Sequence, residues 1–102
     1  MLSLRDYETQ DQLSGARESG ELNAYLKGVA DSLTFANAYL QGGGKPKLFC
    51  TGDTLDAPAM RAILDRHIAF LASIGQNAVE VKRRTGVVTI LIQRLREAYP
   101  CR

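Results

Sequence analysis

Residues 22–40 read LNAYLKGVADSLTFANAYL, and this stretch decides the fold. Leu22, Leu26, Val29, Leu33, Ala36 and Leu40 fall alternately four and three positions apart, the spacing of an apolar stripe along one side of an α-helix. The same spacing turns Asn23, Lys27, Asp31, Thr34 and Asn37 towards water. Three consecutive glycines, Gly42, Gly43 and Gly44, end the pattern. A stripe this regular needs other helices to cover it. The expected fold is therefore all-α, a small bundle of four to five helices.

Working towards the N-terminus, residues 1–18 form a polar arm whose sizeable apolar anchors are Leu4, Tyr7 and Leu13. It reads as a short, weakly held helix ending near Ser14-Gly15. Residues 19–102 carry the main helical pattern, and arm and bundle together make one domain. Ser19 is a candidate N-cap for the organising helix, with Glu21 in the first turn, where the helix dipole favours an acid. Gly28 lies mid-helix, where glycine costs about 1 kcal/mol relative to alanine. A close neighbour is the expected reason for it.

Towards the C-terminus, residues 41–54 read as a loop with a cationic tip and an apolar end, Leu48-Phe49-Cys50. The glycines do not make a phosphate loop, because no Gly-Lys-Ser/Thr follows and no strand pattern precedes. A second helix starts near Thr54 or Asp56, with Pro58 tolerable in its first turn. Its stripe is Met60, Ile63, Leu64, His67, Ile68, Leu71 and Ile74, and Gly75 ends it. Asn77 is a candidate cap for a last helical segment running to Tyr99, on the pattern Val88, Leu91, Leu95, Ala98, with Gly86 as a kink or break. Residues 87–92 are β-branched enough to resemble a strand, but the helical pattern continues beyond them. Apolar side chains on more than one side near Ile90 and Ile92 suggest cover by a second subunit as well as by the core.

Composition narrows the function. The chain has 102 residues and a net charge of +2, and its longest basic run is Lys82-Arg83-Arg84, so nucleic acid is not the expected partner. No apolar run approaches the roughly 18 to 20 residues that span a bilayer. The start, Met1-Leu2-Ser3-Leu4-Arg5-Asp6, has no charged segment followed by an apolar one. It reads as a cytosolic start or as a mature protein without its leader. Cys50 and Cys101 are either bridged across about fifty residues or two buried thiols, and a bridge would place the chain in an oxidising compartment. Catalytic material is thin. His67, the single histidine, lies on an inward stripe, the cysteines sit in loop or terminal positions, and Asp53, Asp56 and Asp65 are accounted for as caps and surface charges. No cofactor or metal site is expected, and a binding module without enzymatic chemistry is the better reading.

Three short elements taken together resemble a known pattern: Tyr25-Leu26-x-Gly28-Val29-Ala30-Asp31 in the organising helix, Phe49-Cys50 after a loop, and Tyr99-Pro100-Cys101 at the end. They are similar to the immunity proteins of type VI secretion amidase effectors, the Tai family, over roughly residues 19–101. The chain departs from the pattern at Gly52 and at Ile74-Gly75-Gln76, where that family commonly has prolines. The resemblance implies an all-helical periplasmic protein, usually a homodimer, with Cys50 and Cys101 as its intramolecular disulfide. Tyr25, Gly28, Val29, Asp31, Phe49, Tyr99 and Pro100 would be structural. The partner it implies is a peptidoglycan-cleaving, papain-like cysteine amidase that cuts between D-glutamate and meso-diaminopimelate. Two loops are candidates for entering that enzyme's cleft: one with Gly43, Gly44, Lys45 and Lys47, the other with Lys82, Arg83 and Arg84. A small disulfide-bridged periplasmic helical chaperone is the alternative, and a cytosolic helical adaptor with reduced thiols a third reading.

Overall fold

A computed structural model describes residues 2–14, 20–52 and 55–101. Five helices follow one another: α1 (Leu4–Ser14), α2 (Gly20–Gly42), α3 (Ala57–Ser73), α4 (Val79–Arg84) and α5 (Val87–Ala98). Among the described residues there is no strand, and the all-α bundle stands as the sequence predicts. The predicted caps at Ser19 and Thr54, and the carboxylate of Asp53, lie outside the described residues. The anchor predicted at Leu13 likewise falls where no side chain is described.

The long helix α2 packs on α3, and α3 in turn on α5. The buried seam of α2 is Leu22, Leu26, Ala30 and Leu33, and it faces Met60, Leu64 and Leu71 of α3 and Ile90, Leu91 and Leu95 of α5 in one core. The predicted stripe is right at three of these four positions. It then runs one residue out of register, because 3.6 residues per turn carries the seam from Leu33 to Asn37. Asn37 is correspondingly not turned to water. Its Nδ2 donates to the Phe49 carbonyl (3.0 Å) and its Oδ1 accepts from the Leu48 N–H (2.8 Å). This side chain seats the incoming loop and buries Phe49 in the core. Asn23 is also drawn in, accepting from Arg61 Nε at 2.9 Å.

Helix ends follow local rules. Asp56 caps α3 by accepting from the Ala59 N–H (2.9 Å), with Pro58 just inside. Gly44 and Gly75 close α2 and α3 in the left-handed region, φ 73° and 72°. After each, the next residue's N–H returns to the carbonyl five back (Lys45 to Leu40, Gln76 to Leu71, both 2.8 Å). Ser3 and Asp6 cap α1 reciprocally, each side chain accepting from the other's N–H at 3.0 and 3.1 Å. Hydrogen bonding from Ser3, its backbone N–H first and its side chain second, holds the Asp6 carboxyl below its ordinary pKa.

The last segment is two helices rather than one. Gly86 is the break, and Ala78, not Asn77, precedes α4, with no side-chain cap. The N-terminal residues fill the corner: the Leu4 N–H donates to the Thr85 carbonyl (2.7 Å) and the Val87 N–H to the Leu2 carbonyl (2.9 Å). Leu4 and Tyr7 are fully buried, and the Tyr7 hydroxyl donates to Asp65 Oδ1 at 2.7 Å. Leu4 and Tyr7 of the arm are thus part of the core, not a loosely docked surface. Ile90 is buried within this one chain and Ile92 half-buried against its core, so the apolar spread of α5 is largely satisfied without a second subunit.

Cys50 and Cys101 are bridged, with Cα atoms 5.0 Å apart and a sequence separation of 51. No free cysteine is present, which removes the reading with reduced thiols. Loop-closure entropy for a ring of this size gives about 4 kcal/mol as an upper value. The C50S/C101S variant is expected to lose about 3–4 kcal/mol of unfolding free energy in urea. A loss below ~1 kcal/mol would show that the bridge scarcely constrains the unfolded chain.

Candidate functional site

The residues that carry the family resemblance gather in two places. At one end of the molecule, Phe49 is buried, the Cys50 N–H donates to the Tyr99 carbonyl (2.8 Å), and the bridge to Cys101 follows directly. Pro100 lies exposed between Tyr99 and Cys101. Along α2, Tyr25, Gly28 and Val29 line an open groove with Ala24, Ser32, Leu33 and, from α5, Val88. Gly28 does not admit a close neighbour, contrary to expectation. A methyl group built on it would meet nothing within 4 Å. Asp31 is exposed and pairs with Lys27 one turn back, Nζ to Oδ2 3.1 Å.

The two candidate binding loops fare differently. Lys45, Gly43 and Gly44 are exposed at the tip beyond α2, and Lys47 is half-buried where the chain turns inward. Lys82 is not surface charge. It is buried, and its Nζ lies 2.8 Å from Glu8 Oε1 of α1, which Arg5 also approaches at 3.5 Å. A run of three basic residues on a short helix cannot keep all three in water when α1 packs against one side of it. Arg83 and Arg84 remain exposed, and Arg83 pairs with Glu80 at 3.0 Å. The predicted basic triad is therefore one interior ion pair beside two surface arginines.

His67 is buried on the seam of α3, beside an open groove of about 440 Å³ lined by Ile63, Arg66, Phe70, Arg94 and Glu97. Burial lowers its pKa below the ordinary 6.5, the Arg94 charge lowers it further, and Glu97 opposes them. Both cysteines are bridged, so neither offers a thiolate to this imidazole. Asp56 and Asp65 are engaged as cap and as acceptor for Tyr7. Among the described residues no group of three or more His, Cys, Asp or Glu side chains could hold a metal ion. No helix there is long and apolar enough to cross a membrane.

One surface feature escaped the sequence reading. Phe35 and Tyr39 are 71% and 74% exposed on α2, their rings 6.5 Å apart and inclined by 26°. The signal was available: two aromatics four positions apart, off the apolar stripe, in a stretch without charge from residue 32 to 44. Comparison of the chain with protein-family models, with curated proteins and with solved structures found no match.

Removing Lys82 strands Glu8 in a largely buried position. Lys82→Ala is expected to cost about 2–3 kcal/mol, below the range for a fully buried pair because Arg5 stays nearby. Arg84→Glu should change stability by less than ~0.5 kcal/mol in the same urea titration. His67 gives a pH signature. Its folded pKa is depressed, so its contribution is full above the unfolded value of 6.5 and is lost as pH falls towards the folded one. Urea midpoints should therefore decline below pH 6.5, and His67→Gln should flatten that decline.

Proposed function

We propose that this chain is an immunity protein of the Tai type, which binds and inhibits a type VI secreted peptidoglycan amidase in the periplasm by occluding its active-site cleft. The observation that carries the reading is the meeting of Phe49-Cys50 with Tyr99-Pro100-Cys101. The two terminal elements of the resemblance lie far apart in sequence, yet they share a covalent bridge and a backbone hydrogen bond. A disulfide between exposed cysteines suits an oxidising compartment. The fold supports inhibition by rigidity. Bridge, clamped loop and capped helices leave little to order on binding, which lowers the entropic cost of association. Occlusion asks nothing of the inhibitor's own chemistry, in keeping with bridged cysteines and a buried histidine. The working form in this proposal is a homodimer, for which exposed apolar side chains such as Phe70, Ile74 and Val81 are available surface.

The same exposed side chains favour the alternative, a small disulfide-bridged periplasmic helical chaperone. The two readings separate in one pair of assays. As an immunity protein, the purified chain abolishes peptidoglycan hydrolysis by a D-glutamate–meso-diaminopimelate cysteine amidase at about one equivalent, and co-elutes with it. As a chaperone, it suppresses aggregation of unrelated unfolding clients and leaves every amidase in the panel active. That second outcome would overturn the proposal.

A further inference from the structure

The end of α2 has the properties of an inserting element. Phe35 and Tyr39 belong neither to the core cluster nor to the side chains packed against it, so beyond their contact with each other most of their apolar area stays in water. Two large aromatics in water on a helix whose other face is buried are the composition of a binding hot spot. Their position is fixed from two sides. The helix closes tightly at Gly44, with Lys45 N–H bonded to the Leu40 carbonyl, and Asn37 holds the returning chain at Leu48 and Phe49. An aromatic side chain with two rotatable bonds on such a base loses little freedom on docking.

Among the described residues, the charge at this end has no acidic partner. Tyr39 and Lys45 line one shallow hollow, with Lys47 two residues further on. Among the described residues no carboxylate pairs with Lys45 or Lys47, whereas Lys27, Lys82, Arg83 and Arg94 each have an acidic partner. Two ammonium groups beside an apolar pair suit a partner surface with an apolar floor and an acidic rim. A second copy of this chain does not fit. Two-fold pairing through this end would bring the Lys45 and Lys47 charges of both copies into one interface.

We infer that Phe35 and Tyr39 are the side chains that enter the partner amidase's cleft, with Lys45 and Lys47 engaging carboxylates on its rim. This rests on the inhibitory role proposed above and names the surface that performs it. The surface of α4 with Arg83 and Arg84 then takes no part.

The test uses the full chain and the cysteine amidase that the wild-type chain inhibits. Three variants are compared by inhibition constant and association rate: F35A/Y39A, K45E/K47E and R83E/R84E. Both residues of the first are exposed, so it should unfold at the wild-type urea midpoint while inhibiting at least ~100-fold more weakly. K45E/K47E should associate ~10-fold more slowly at low ionic strength and approach the wild-type rate in 0.5 M salt. R83E/R84E should match the wild type. If F35A/Y39A and K45E/K47E both inhibit within ~3-fold of wild type, this inference falls and the inhibitory role stands. If F35A/Y39A instead turns a wild-type dimer into a monomer and still inhibits fully, the aromatics cover a second copy and the inference falls. If the wild-type chain inhibits no amidase, the inhibitory role falls and takes this inference with it.

Discussion

The bond between Cys50 and Cys101 encloses three of the five helices in a covalent ring, since α3, α4 and α5 all lie between the two cysteines. A ring of that size removes much of the unfolded chain's freedom before any side chain packs. What remains is to place two helices from outside it. α2 lies on α3 through its apolar seam, and Asn37 ties it to the residues just ahead of Cys50. α1 lies on α4, with its first residues in the corner ahead of α5. Each outer helix is thus fastened to the ring by polar bonds as well as apolar area. That explains how a chain this small can bury Tyr7 and Phe49 completely.

The hydrogen bonds of the interior go to places where backbone would otherwise be stranded. The loop ending at Cys50 carries peptide groups into the core with no helix of their own to satisfy them. A polar residue in the α2 seam answers this need. The corner at Thr85 and Gly86 has the same difficulty, and there backbone from residues 2 to 4 supplies the partners. Buried Lys82 against Glu8 solves a related one, keeping a charge inside by pairing it rather than excluding it.

These are the features that sequence alone reads poorly, and the reason is common to them. Periodicity reports which face of a helix is apolar, so Leu22, Leu26, Leu33, Met60, Leu64 and Leu95 were legible, as were the stops at Gly44 and Gly75 and the cap at Asp56. It carries no information about a distant carbonyl that needs a donor. Asn37 therefore looked solvated, and Lys82 looked like one third of a basic patch. Gly28 shows the opposite error. A glycine within a helix suggests a close neighbour, yet this one faces an open groove. The exposed turn at Gly44 and Lys45 was legible from turn chemistry. The aromatic pair beside it lies off the apolar stripe, and periodicity does not report an exposed apolar side chain.

The pairing of residues 2–4 with 85–87 has a consequence for how the chain matures. Contacts of such wide sequence separation close late, because the entropy of bringing the two segments together is spent before any packing rewards it. Residues 2–4 are synthesised before residues 85–87, so their backbone partners do not yet exist when they emerge. Until then the first helix has no α4 to lie on, and this corner of the fold cannot close before α4 has been made.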